Sequence, residues 1–198
     1  MMNTDTPQII LASASPRRGE LLQQIGIAYE ALPVDIDESM QGNEDPEQHV
    51  CRLALEKARA GAEKSRTRLP VLGSDTIVLL DGRVLGKPGD KQDAVAMLSS
   101  LSGREHQVLS AVAMVQGDKS QCLLSRSKVR FSSLSSGDIE AYWATGEPAD
   151  KAGAYGIQGL AAQFIERLDG SYSGVMGLPL FETSQLLKEF GVKIAGHE

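Results

Sequence analysis

The sequence predicts an α/β protein built on a mixed β-sheet with flanking helices, and three observations predict it. Stretches with helical apolar spacing alternate along the chain with strand-like apolar runs. Some of those runs are joined across two-residue turn signals, Asp81-Gly82 above all, which makes hairpins. Others are separated by a whole helix, which makes crossovers, so the sheet is mixed rather than purely parallel. At 198 residues with 41% apolar content, the chain suits one domain spanning 1–198, or two small lobes sharing a cleft.

The elements follow in order. Ile9, Ile10 and Leu11 end a buried strand. Ser15 offers a cap and Pro16 the first helical position, and Leu21, Leu22 and Ile25 carry helical spacing up to a stop at Gly26. Ile27 to Val34 reads as a strand leading into an acidic segment, Asp35, Asp37 and Glu38. Asp45, Pro46 and Gln48 form a capping box for a helix with Gly61 as its stop. Val71 to Leu80 is a strongly apolar strand, followed after Asp81-Gly82 by Arg83 to Leu85. Asp90 starts a helix ended by Gly103. His106 to Val115 is a strand, and Gln121 to Phe131 is one long strand or two short ones. Asp138 to Ala144 is a short helix, and a glycine-rich loop covers 146–159. Phe164 to Leu168 and Tyr172 to Met176 read as strands paired across Asp169-Gly170. Pro179 opens a last helix that Gly191 closes.

Charge and composition exclude several functions. The 20 basic and 26 acidic residues leave a net −6, which argues against a general nucleic-acid or anionic-membrane surface. Aromatics make up 5%, too few for a single-strand stacking platform. No run of about 18 apolar residues is present, so no membrane span is expected. Met1 to Gln8 has no basic region, so no signal peptide is expected. Cys51 and Cys122 fit no ligand spacing and read as buried free thiols, which points to a cytoplasmic protein. His49, His106 and His197 share no metal-ligand pattern.

The chemistry gathers in a few places. In Leu11 to Gly26 a strand hands over to a helix through the small residues Ala12, Ser13 and Ala14. A helix N-terminus favours an anion, and Arg17 and Arg18 lie in its first turn, where the dipole disfavours cations. That is a phosphate-binding arrangement. The same residues also make a capped surface helix with two solvated arginines, and this stretch alone does not choose. Asp75 lies inside an apolar strand, where a carboxylate needs a compensating cation or hydrogen bonds. It is a candidate general base or metal ligand, or else a carboxylate bonded to backbone N–H groups in a bend. Lys57 falls on the apolar stripe of its helix and either snorkels to the edge or meets a buried anion. Lys87 follows the hairpin and returns beside Asp75 or is solvated. Glu38 and Asp37 follow a strand, as carboxylates that hold Mg²⁺ often do, or form a solvated acidic loop. Cations, a carboxylate base and a divalent ion make up the kit for attack on a phosphate ester. The residues stop at phosphate chemistry and do not choose the nucleotide or the bond.

Taken in order, LASASPRRGELL, VDIDES, LALEKARA, LGSDTIVLLDGRVLGKP, LSGREH, DKAGAYGIQG and VMGLPL resemble the Maf nucleoside triphosphate pyrophosphatases over nearly the whole chain. The resemblance implies an elongated, two-lobed Maf/ITPase-like fold around a deep cleft, in a homodimer. It implies hydrolysis of a nucleoside triphosphate to the monophosphate and pyrophosphate with a divalent cation, Mg²⁺ or Mn²⁺. Asp75 would be the proton acceptor, with Glu38 and Asp75 at the metal, and Ser13, Arg17, Arg18, Lys57 and Lys87 would line the phosphate site. Arg17, Thr76 and Gln158 match the branch of the family that acts on dTTP and UTP, with modified pyrimidine triphosphates as further candidates. The branch acting on 7-methyl-GTP has tryptophan, glutamine and glutamate at those positions. A reading of a different class is a nucleotide-sensing regulator of cell septation, which would need the phosphate cradle but not the base at Asp75. Gly19, after the arginine pair, is a poor helix former for its place.

Overall fold

The computed structural model describes residues 6–194. The first residues of the segment read as lacking a signal peptide, and His197, lie outside them. The elements are β1 (Ile9–Leu11), α1 (Pro16–Gln24), β2 (Tyr29–Ala31), α2 (Pro46–Lys64), β3 (Val71–Leu80), β4 (Arg83–Leu85), α3 (Lys91–Leu101), β5 (Glu105–Gln116), β6 (Lys119–Phe131), α4 (Ser136–Ala144), β7 (Ile165–Asp169), α5 (Tyr172–Met176) and α6 (Leu180–Glu189). Short 3-10 turns occupy 147–150, 152–154 and 160–164.

The strands form one mixed sheet in the order β2-β1-β3-β5-β6-β7, with β4 paired to β3 off that path. β1 is parallel to both β2 and β3, and the remaining pairs are antiparallel. The Asp81-Gly82 turn takes positive φ at both residues, 50° and 79°, as the two-residue hairpin it joins requires.

Period-2 alternation sends the two faces of β5 to different partners. Leu109, Ala111, Ala113 and Val115 pack with Val50, Ala54 and Ala58 of α2. Val112 and Met114 pack with Leu21 and Leu22 of α1 and with Leu186 and Leu187 of α6. A third apolar cluster joins Val78, Val108, Val129 and Phe131 to Leu98 of α3, Tyr142 of α4 and Tyr155 of the glycine-rich loop.

Several expectations change, each for a local reason. Tyr172–Met176 is a helix, not a strand: the Ser171 hydroxyl caps it by accepting from Gly174 N. The partner of β7 is therefore β6, with Val129 opposite Leu168. α2 runs through Gly61 to Lys64. That glycine is a place of close approach rather than a stop, since a Cβ there would come within 2.8 Å of Ala12 Cβ and Val71 Cγ1. Gly19 has a similar reason, because the Tyr29 hydroxyl occupies the space a Cβ would need. The strand expected over Ile27–Val34 pairs only over Tyr29–Ala31, and 119–131 is one long strand. Cys51 and Cys122 are free but only half-buried, with Cys122 Sγ 3.8 Å from the Cys51 carbonyl.

Candidate active site

The cleft begins as a gap along one edge of β3. On its other edge β3 pairs with β5 continuously from Val71 to Leu79. On the cleft edge β1 pairs only at Val71 and Leu72, and β4 only from Val78 to Leu80. Among the described residues no strand pairs with Gly73–Ile77 on that side, and Asp75 stands at the middle of the opening. The cleft measures about 780 Å³. Its lining includes Ser13, Arg17, Arg18, Glu38, Lys57, Asp75, Thr76, Lys87 and Gln158, whereas Asp37, also named from the sequence, is not part of it.

Helix α2 brings Lys57 to Asp75. Small residues let the helix lie close on the sheet: a Cβ at Gly73 would come 2.3 Å from the Ala54 carbonyl and 2.6 Å from Ala58 N. One turn along the same face, Lys57 Nζ reaches Asp75 Oδ1 at 2.7 Å and Glu38 Oε1 at 2.6 Å. The lysine on the apolar stripe thus meets a buried anion rather than snorkelling. Asp75 Oδ2 makes no hydrogen bond among the described residues, yet it is not sealed from the cleft. Glu38 is half exposed; burial alone would raise its pKa, but the Lys57 hydrogen bond and charge hold it below its ordinary value. Asp37 turns away, its carboxylate accepting from Ser39 N at 2.9 Å.

The strand-to-helix handover forms the next wall. The Ser15 hydroxyl makes no capping bond; Ser13 Oγ accepts instead from Ser15 N at 3.1 Å and from Arg18 Nη1 at 3.1 Å. Arg18 Nε also donates to the Gly177 carbonyl at 2.9 Å, where Ser74 Oγ donates at 3.0 Å. Burial draws the Arg18 guanidinium below its ordinary pKa, while the Asp75 charge pulls the other way. Arg17 reaches over the cleft to Asp150 Oδ2 at 3.4 Å. Thr76 Oγ1 lies 2.9 Å from Ser110 Oγ, which donates to the Gly174 carbonyl at 2.6 Å. Lys87 is exposed on the segment after β4, and Gln158 is exposed on the glycine-rich loop.

Sequence reasoning passed over Asp150, Lys151, Tyr155 and Gly177, which also line the cleft. Gly177 carried a signal in VMGLPL: its φ of 121° suits glycine, and its carbonyl serves both Arg18 and Ser74. Asp150 and Lys151 open DKAGAYGIQG, but as adjacent opposite charges they read as an ordinary turn.

A strand-edge carboxylate paired with lysine, facing a basic strand-to-helix corner, has the chemistry that suits a phosphate-bearing ligand. The model of Maf-like protein matches residues 8–190, and the chain belongs to the Maf family. It is 53% identical over 196 residues to the dTTP/UTP pyrophosphatase of Alkalilimnicola ehrlichii, covering 96% of each chain. It is 52% identical over 196 residues to the dTTP/UTP pyrophosphatase of Methylobacillus flagellatus, covering 98% of each. Among solved structures the likeness is slight: the Staphylococcus aureus Ham1 protein superposes with a TM-score of 0.44 at 16% identity, over 62% of this chain and 71% of its own.

Proposed function

We propose that the protein is a nucleoside triphosphate pyrophosphatase that hydrolyses dTTP and UTP to the monophosphate and pyrophosphate. The observation that carries the reading is Asp75, held by Lys57 at the open edge of β3 in a chain half identical to proteins of that name. With Oδ1 engaged by Lys57, Oδ2 is the oxygen available to a water. Asp75 takes a proton from that water as its oxygen attacks the α-phosphorus. The bond from the α-phosphorus to the oxygen bridging to the β-phosphate then breaks, and pyrophosphate leaves. Ser13, Arg17, Arg18, Lys57 and Lys87 hold the phosphate charge, with Arg18 pre-positioned by its bonds to Ser13 and Gly177.

A divalent cation, Mg²⁺ or Mn²⁺, fits Glu38 and Asp75. Both carboxylates line the cleft and share Lys57 as a partner, so the oxygens that Lys57 leaves free would be the ones to hold the ion. Among the described residues no set of three or more protein ligands gathers, which suits an ion that takes water and phosphate oxygens for the rest of its shell. Bound there, it would screen phosphate charge and polarise the α-phosphoryl group.

Base choice is assigned to Arg17, Thr76 and Gln158. A glutamine amide presents a donor and an acceptor and so complements the alternating O and N–H groups of a uracil or thymine edge. We place the protein in the cytoplasm, where the adjacent free thiols Cys51 and Cys122 suit a reducing environment, and read it as a homodimer of single-domain chains without stable nucleic-acid binding. Among the described residues no helix is long and apolar enough to cross a membrane.

The test is a panel of canonical and modified nucleoside triphosphates with Mg²⁺, scored for pyrophosphate release. Clear preference for UTP and dTTP is expected. Release of orthophosphate in place of pyrophosphate, or no turnover of any pyrimidine triphosphate, overturns the reading.

A further inference from the structure

The segment that carries Gln158 has few regular-structure bonds of its own, and one side chain outside it supplies several of the contacts that fix its course. Glu147 sits half-buried in the 3-10 turn after α4. Its Oε2 accepts from Leu160 N at 2.9 Å, and its Oε1 accepts from the Tyr142 hydroxyl at 2.7 Å and from Ala161 N at 3.4 Å. The same Tyr142 hydroxyl accepts from Gly156 N at 3.2 Å. The two residues therefore hold the chain on both sides of Gln158, two positions before it and two after.

The glycines of this stretch record how closely the carboxylate approaches. A Cβ on Gly159 would come within 2.4 Å of both Glu147 oxygens. A Cβ on Gly156 would come 2.8 Å from Lys151 Cε and 3.4 Å from Glu147 Oε1. Lys151 is tied to the same residue, its Nζ donating to the Glu147 carbonyl at 2.8 Å. Burial alone would raise the Glu147 pKa, but the Leu160 amide and the Tyr142 hydroxyl hold it below its ordinary value, so the carboxylate stays charged at neutral pH.

Glu147 is absent from the lining of the cleft, whereas Gln158, Gly156 and Lys151 all line it. A charge-assisted acceptor with several donors and no path to ligand has the form of a brace. We infer that Glu147, acting with Tyr142, is a positioning residue for nucleobase selection: it fixes the Gly156–Ala161 arc so that the Gln158 amide meets the pyrimidine edge already oriented. The inference rests on Gln158 reading the base, as proposed above. A loop that must be ordered when the base arrives costs affinity, and a pre-ordered one does not.

Glu147→Ala and Tyr142→Phe are the variants, with Glu147→Gln as the conservative control and UTP and GTP as paired substrates. Glu147→Ala should raise KM for UTP roughly tenfold, with kcat changed less than about threefold, and should lower the UTP-to-GTP ratio of kcat/KM by a similar factor. Amide exchange at Gly156, Leu160 and Ala161 should quicken in the same variant. Glu147→Gln keeps one acceptor oxygen and should recover most of the ratio. Tyr142→Phe keeps the core ring and should shift KM in the same direction by less, so it carries the test if Glu147→Ala does not fold. Folded variants with unchanged KM and unchanged selectivity overturn the inference. An unmodified enzyme without preference for UTP over GTP overturns instead the base-reading role of Gln158, and it does so before any variant is made.

Discussion

Lys57 Nζ and Asp75 Oδ1 stand 2.7 Å apart between α2 and β3, with side-chain exposures of 11% and 9%. The lysine has a second carboxylate partner in Glu38, whereas Lys57 is the one cation in hydrogen-bond contact with Asp75 among the described residues. The two ends of this pair should therefore fail differently.

Asp75→Asn removes the base while Glu38 still holds the ammonium, so the fold and triphosphate binding should persist. kcat should fall by about 10²-fold to 10⁴-fold, the usual worth of a positioned acid or base group. Steady-state kinetics with UTP check this, and near-normal kcat removes Asp75 from the role.

Lys57→Ala leaves a covered carboxylate without its cation. Because Asp75 Oδ2 still opens on the cleft, the cost is at most about 3 kcal/mol, a fall in Tm of no more than roughly 6–12 °C for a chain of this size. Turnover should drop as well, since Asp75 loses the contact that orients it. Thermal melts and kinetics together decide the matter, and a variant with unchanged Tm and kcat would show the pair to be dispensable.

Gln158→Glu trades a donor for a second acceptor in the same volume. Selectivity for UTP over GTP should erode more than kcat for UTP declines, because a hydrogen-bonding site penalises mismatched groups strongly. Competition between the two substrates measures it. Unchanged selectivity would move base reading to Thr76 or to the loop backbone.

His106 gives a pH prediction away from the cleft floor. Its ring is buried, with Nε2 2.8 Å from the Tyr155 hydroxyl and Nδ1 without a partner among the described residues, and burial pushes its pKa down to about 4. The unfolded chain takes up the proton near pH 6.5 and the folded one does not. Stability from this group is therefore complete above about pH 6.5 and declines as the pH falls toward 4. His106→Gln should flatten that limb of the Tm profile while leaving the neutral-pH value less affected. A limb of equal slope in the variant assigns it to other groups.

Much of this was legible in the chain. The Asp45–Gln48 capping box, the Asp81-Gly82 turn and the Asp90 cap are local signals, and each forms as read. Asp75 and Lys57 were visible separately, because a charge inside an apolar pattern asks for a partner. That they are each other's partners was not, since the register of α2 on β3 depends on how closely Gly73 and Ala54 approach. Gly61 and Tyr172–Met176 misled for related reasons. A glycine reads as a helix stop when it is in fact a contact, and Tyr-Ser-Gly-Val-Met suits a strand until the Ser171 hydroxyl caps it. Glu147 gave no sign at all, because its role is to accept from amides that any residue would supply.

The interrupted edge of β3 also says how the size of the opening is encoded. Two separate three-residue strands, β1 and β4, share that edge, and the room between them is set by where one stops and the other starts. Two more residues of pairing at the end of β1 would carry the ladder past Gly73 and begin to close the floor over Asp75. Strand length is thus a dial on the room above Asp75, and at the β1 end turning it would draw Ser13 into the ladder. Because β4 hangs on its own turn, that dial can be moved at one end without unpacking the other.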